Sequence, residues 1–382
     1  STEPGVRFGA VINTFLMQLI IFWGLAKMWS RPKLAFWSLV VANTMPLFIT
    51  AGVLMTTDNL LILFWLIAFF TFYFLLKKSD LRTRKSENSG YSEQTNPSLF
   101  SKLPIFPSSQ LPYIILALAI ALGILAKYTM LLFVPLSLIC AWYVGRKESL
   151  PARFWPRFTT ALLCGMLIGL LPIIIWNINH DFAGIKHVLY RGSLAGKKAR
   201  HLFRFKYFPE YLGSQVGVLT PWWFVFCLMG AVKVIRGLKT RNHAFGLNRT
   251  QGIMLTIFFW PIWLFFLLLS LHGKVEANWS ATSYCAGIIL TSLAFLEKRK
   301  LRSWENGKLG YSEKTISPLF SKLPIFLSSH LPSLKIRWLW PALGGLIFIL
   351  IYASNYVPLP EKLDLTRRMK GWAELGIKVD EL

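Results

Sequence analysis

TTDNLLILFWLIAFFTFYFLLKK, residues 56–78, decides the fold. Between Asp58 and Lys77 the chain carries no charge, and the run is close to the ~20 residues that a helix needs to cross hydrocarbon. Working outward, nine more apolar segments recur. With this one they cover about 8–28, 35–55, 59–77, 112–126, 129–144, 158–177, 218–236, 252–271, 280–296 and 337–355. The chain has 382 residues, of which 54% are apolar and 15% charged, far from soluble globular usage. The sequence therefore predicts an all-α polytopic membrane protein, a bundle of about ten transmembrane helices. The fourth and fifth segments are short and read as a pair meeting at Lys127.

Charge sets the expected orientation. The formal net charge is +25. In a soluble protein that excess points to nucleic acid. Here it falls in short loops between apolar runs, so topology control and anionic membrane lipids account for it, with no nucleic-acid partner. Alternate loops are basic: Lys27–Lys33, Lys77–Lys85, Arg146–Arg157, Lys233–Arg249 and Lys298–Arg302. The other set is Thr56–Asp58, Lys127–Tyr128, 177–215 and His272–Trp279, and only its long loop is strongly basic. The first set reads as cytoplasmic, with both chain ends outside.

The long loop, NINHDFAGIKHVLYRGSLAGKKARHLFRFKYFPEYLGSQ at 177–215, carries seven Lys/Arg and two acids, Asp181 and Glu210. Phe203, Tyr207, Phe208, Tyr211 and Leu212 stand at helix-like spacing beside cations. The loop is thus expected to be amphipathic and to lie in the outer membrane interface. Headgroup anchoring and capture of an anionic lipid-linked substrate are both compatible with it.

Residues 90–112 recur at 310–332, with 17 of 23 positions identical, as Ser/Pro-rich inserts in two cytoplasmic loops. The bundle is expected over 1–357, and 358–382 reads as the start of a truncated outer-face domain. The four cysteines lie in apolar runs without metal-ligand spacing.

No GxxxxGK[ST], GxGxxG, CxxC, HExxH or GxSxG motif is present. Ionisable residues are nearly absent from the apolar runs, which argues against a proton-coupled pump. What remains is polar residues at the outer helix ends. Asp58 could cap a helix or bind substrate. Lys127 could snorkel or hold a phosphate as a point charge, beside Tyr128. Asn177, His180, Asp181, His187 and Arg191 open the long loop. Lys274, Glu276, Asn278 and Trp279 stand in HGKVEANW. Together they offer cations for a phosphate, carboxylates for a base and aromatics for a sugar face, the parts that glycosyl transfer from a lipid phosphate requires.

TTDNLLILFW (56–65), LGILAKYT (122–129), WNINHDFAGIKHVLYRG (176–192), KVEANWSATSY (274–284) and RRMKGWAELG (367–376) stand in an order that carries a resemblance. The chain resembles the bacterial branch of the dolichyl-phosphate-mannose–protein mannosyltransferase family, glycosyltransferase family 39, related to the aminoarabinose transferases of lipid A. The resemblance implies a GT-C bundle with an outer-face site and a polyprenyl-phosphate sugar donor. It implies that Asp58, Lys127, the start of the long loop and Lys274/Glu276 line that site. In the family a first outer loop bears the catalytic acid. STEPGVRFGAV at 1–11 resembles the end of that loop, so the catalytic acid is expected to lie outside the chain, and Glu3 is not assigned its role. Ser280 stands where the family commonly has proline.

The expected function is transfer of a sugar from a polyprenyl-phosphate carrier to a lipid, glycan or protein hydroxyl. Asp58 and Glu276 are the candidate acids. Lys127, Tyr128, Asn177, His180, Asp181, His187, Arg191, Lys274, Asn278 and Trp279 are the candidate binding residues. No soluble cofactor is expected, and the need for a metal is left open. The alternatives are an inactive fragment of such an enzyme and a lipid-binding or transport component.

Overall fold

The computed structural model describes residues 3–53, 56–87, 110–146, 150–151, 153–191, 205–240, 244–297 and 339–353. The Ser/Pro-rich segment at 310–332, nearly all of that at 90–112, and the stretch 358–382 lie outside the described residues. The chain is an all-α polytopic membrane protein. Its α-helices are α1 (Glu3–Trp23), α2 (Pro32–Ala42), α3 (Pro46–Val53), α4 (Thr57–Glu87), α5 (Leu111–Ala126), α6 (Phe133–Gly145) and α7 (Phe154–Asn179). They continue with α8 (Ala183–Arg191), α9 (Tyr207–Leu219), α10 (Pro221–Thr240), α11 (Arg249–Leu269), α12 (Ser283–Leu296) and α13 (Leu339–Ala353).

Each of the ten apolar segments is largely helical over its described residues, but they are not ten uniform spans. Among the described residues, six helices are long and apolar enough to cross a membrane, or seven if a bent pair is counted. That pair corrects the reading of 35–55 as a single span: α2 and α3 meet at an angle of 79°. Asn43 and Thr44 stand at the break. The Thr44 hydroxyl donates to Val40 O at 2.8 Å, and the Asn43 amide donates to Leu39 O at 2.8 Å, covering carbonyls at the end of α2. Freed backbone groups at membrane depth need such partners.

Burial separates centre from rim. The apolar stretch of α4 is 72% buried, against 28% for the spans containing α1, α7 and α10. Trp65, Phe69 and Phe72 of α4 pack against Phe133 and Phe258 in a continuous aromatic cluster. Offset and edge-on ring pairs of this kind are preferred over face-to-face ones. The short α12 is buried along its whole length, and its Thr291 and Ser292 hydroxyls bond back to Gly287 O and Ile288 O. The outward faces of α1 and α7, with Phe15 at 60% and Leu167 at 68% exposure, are the surfaces a bilayer covers.

The two sets of loops bond within themselves. At one end Asp58 meets Lys127 and Asn278, and Gln215 meets Ala277. At the other, Arg31 donates to Phe245 O at 2.9 Å, Lys77 to Met28 O at 3.4 Å, and Lys233 pairs with Glu297. The alternation read from charge therefore reappears as two polar ends.

Candidate functional site

The site begins at the first turn of α4. Thr57 opens the helix, and Asp58 follows within the turn whose unpaired N–H groups favour a negative charge. Asp58 lies inside the helix, one residue past its start at Thr57. Among the described residues, both its carboxylate oxygens take side-chain donors. Lys127 Nζ donates to Oδ1 at 2.6 Å, and Asn278 Nδ2 donates to Oδ2 at 2.6 Å. The side chains of Lys127 and Asp58 are 22% and 12% exposed, so the pair is largely withdrawn from solvent. Charge-assisted bonds of this length are the strong ones.

Each partner is placed by a break in a helix. Lys127 ends α5 with an extended backbone (φ −163°, ψ 136°), and a 3₁₀ turn, Tyr128–Leu132, leads into α6. The lysine therefore points across the bundle end instead of along a helix side, and Tyr128 beside it is half-buried. Asn278 sits in a second 3₁₀ turn, Ala277–Ser280, just before α12.

That turn is clamped from behind by α9. Gln215 is fully buried and accepts at Oε1 from Ser280 Oγ (2.9 Å) and Tyr284 OH (2.6 Å). Its Nε2 donates to Ala277 O at 3.2 Å. Tyr284 OH in turn accepts from Trp263 Nε1 of α11 at 3.2 Å. Burial pushes the neighbouring Tyr211 phenol up to about 12, so it remains a neutral hydroxyl at physiological pH.

Lys274 approaches Glu210 of α9 at 3.9 Å, with both side chains more than half exposed. Such a pair adds little to stability. Glu276 is half-buried, and among the described residues its carboxylate makes no hydrogen bond or ion pair. The Trp279 ring packs on Phe266 at 6.1 Å.

The start of the long loop stands apart. Asn177 is buried, but its side chain serves the local turn, donating to Ile173 O at 2.9 Å and accepting from Ile185 N at 3.1 Å. His180 stacks on Trp176 at 4.3 Å, and Asp181 and Phe182 take left-handed backbone angles that swing the chain into α8. His180, Asp181 and His187 are exposed, and none has a described contact with Asp58, Lys127 or Asn278. The side chain of Arg191, like Lys197, Lys198, Arg200 and Arg204, lies outside what the structure describes.

The amphipathic helix expected at 203–212 is displaced in two directions. α9 turns Tyr211, Gln215 and Leu219 into the bundle. α8, packed chiefly on the end of α7, is the helix that exposes Ile185, Val188, Leu189 and Tyr190. Gln215, Ser280 and Tyr284 were missed as site-forming residues. The available signal was a lone Gln one helical turn from two buried apolar positions, Tyr211 and Leu219.

The family described as dolichyl-phosphate-mannose-protein mannosyltransferase matches residues 1–83, which include Asp58. A lipid A galacturonosyltransferase of Rhizobium johnstonii is 23% identical over 268 residues, covering 69% of this chain and 46% of that protein. An undecaprenyl phosphate-alpha-4-amino-4-deoxy-L-arabinose arabinosyl transferase of an Enterobacter species is 25% identical over 240 residues, covering 60% and 36%. The chain thus spans less than half the length of these curated relatives. No solved structure matches it. The similarity to membrane glycosyltransferases that the ordered motifs implied is found again in these matches.

Proposed function

We propose that the chain forms the carrier-binding part of a membrane glycosyltransferase, moving a sugar from a polyprenyl-phosphate carrier to a lipid hydroxyl on the non-cytoplasmic face of a bacterial inner membrane. The relatives' names, lipid A galacturonosyltransferase and undecaprenyl phosphate aminoarabinose arabinosyl transferase, support this donor and acceptor class. One observation carries the reading: Asp58, Lys127 and Asn278, from three separate connections, meet at one end of the bundle.

In this reading Lys127 holds the carrier phosphate. An ammonium has three donors, and the Asp58 bond uses one of them. As the sugar departs, negative charge grows on the phosphate, and a fixed cation stabilises it there. Asp58 keeps the ammonium in place, and Asn278 holds the second carboxylate oxygen. Glu276, unpaired among the described residues, is the carboxylate available to a sugar hydroxyl. Lys274 supplies a second cation at the rim.

The test uses the full chain in nanodiscs and undecaprenyl phosphate as probe. K127A is expected to weaken binding by more than about tenfold, the loss typical of a charge-assisted contact. Unchanged binding in K127A would overturn the proposal.

A further inference from the structure

We infer that Gln215 is a positioning residue for this site: through the Ala277–Ser280 turn it sets the bond from Asn278 to Asp58. The inference rests on the carrier-site reading above for its functional consequence, and on geometry alone for the positioning itself.

Gln215 has no solvent exposure and no hydrogen-bonding group left over. Its two N–H groups go to Ala277 O (3.2 Å) and Ser214 Oγ (3.3 Å). Its carbonyl takes Ser280 Oγ and Tyr284 OH. A carboxamide offers two donors and one carbonyl acceptor with two lone pairs, so its full capacity is engaged. A buried amide in that state fixes what it touches, because any displacement strands polar groups away from water.

What it touches is both ends of one short turn. Ala277 O opens the turn and the Ser280 hydroxyl closes it, with Asn278 between them. Among the described hydrogen bonds, Glu276, Ala281 and Ser283 reach the turn's backbone from its immediate chain neighbours, and Gln215 reaches it from a separate helix, α9. Asn278 Nδ2 then reaches Asp58 Oδ2, whose other oxygen holds Lys127. The path from α9 to the ammonium is therefore Gln215, turn, Asn278, Asp58, Lys127. It gives the far end of the long loop a definite role, which is to seat the residue that orients the acid.

The experiment compares wild type, Q215L, Q215E, N278A, Q215L/N278A and K127A, each as the full chain in nanodiscs. Two readouts are taken: deuterium exchange in a peptide covering 276–282, and affinity for undecaprenyl phosphate. Q215L is expected to speed exchange in the turn and to weaken binding by about tenfold, the scale of one hydrogen bond to a charged group. N278A should weaken binding similarly, and the double variant no further, because both act on one bond. Unchanged exchange in Q215L, or multiplicative losses in the double variant, would overturn the inference.

Q215E supplies a readout that mere space-filling cannot move. Protonated, a glutamic acid side chain is nearly isosteric with glutamine and can donate to Ala277 O. Ionised, it faces that carbonyl with a negative charge. Burial raises a carboxyl pKa, so Q215E should match wild type at about pH 5 and fall to the level of Q215L by about pH 9. The same pair of measurements decides the matter if Q215L fails to fold, and a Q215E that tracks wild type at both pH values would overturn the inference. K127A separates the two levels: if it binds as wild type does, the carrier reading fails, and the positioning is decided by the exchange data.

Discussion

Asp58 and Lys127 are joined at 2.6 Å in a setting only 12% and 22% exposed. Removing one partner there costs more than removing both, because the survivor keeps its desolvation without its counter-charge. D58A should therefore lower stability by about 1–3 kcal/mol, less than for a fully buried pair. D58A/K127A should recover part of the loss, as read by thermal unfolding in detergent. These residues were legible in the sequence because each is a polar side chain in a short connection, where an apolar chain has little other use for it. Their bonds to one another were not legible, since they depend on which helix ends meet. Gln215 was harder still: a single amide in an apolar stretch carries no pattern. Ser280 looked like a mild departure from proline, yet its hydroxyl bonds Gln215, which a proline cannot do. Tyr211 adds a pH expectation. Its folded pKa, about 12, lies above the ordinary 10.0, so its contribution is intact below about pH 10 and is lost as pH rises through about 12. Y211F should flatten that alkaline fall in a pH–stability profile.

Among the helices, apolar runs located the segments and the break at Lys127, while the break within 35–55 eluded sequence reading. The bend between α2 and α3 falls at Asn43–Met45, where Asn43, Thr44 and Pro46 interrupt the apolar run, a dip that reading 35–55 as one apolar stretch averages away. The exchange of roles between α8 and α9 has a similar cause. Aromatic and basic residues alternate at 203–212, but the buried stripe is 211, 215 and 219, which runs past that window and stops at Thr220–Pro221. One signal in the sequence was passed over. GMLIG at 165–169 on α7 is a small-xxx-small motif, and a Cβ at Gly165 or Gly169 would stand 2.6 Å from Ala117 O or 2.8 Å from Ala121 O of α5. Close backbone approach of this type holds helices together in lipid, where hydrophobicity cannot. G165V or G169V should separate α5 from α7 and cost about 1–3 kcal/mol by overpacking, measurable as a lowered unfolding midpoint. Because α5 ends at Lys127, the same change should also weaken carrier binding.

For the molecule as a whole, charge alternation anticipated which loops come together. Arg31, Lys233 and Glu297 meet at one polar end, and Asp58, Lys127, Gln215 and Asn278 at the other. The long loop divides between these roles: its last part is built into the site, and its first part, through α8, presents apolar residues outward in the manner of an interface helix. The proposed function requires the Asp58–Lys127–Asn278 end to face away from the cytosol. That sidedness is tested most directly by cysteine labelling. With the exposed native Cys164 replaced, K274C and K233C are reacted in intact spheroplasts with a membrane-impermeant maleimide. Both lysines are well exposed, at 59% and 46%. Labelling of K274C in intact spheroplasts, with K233C labelled only after permeabilisation, is the predicted result; the reverse pattern would contradict the account.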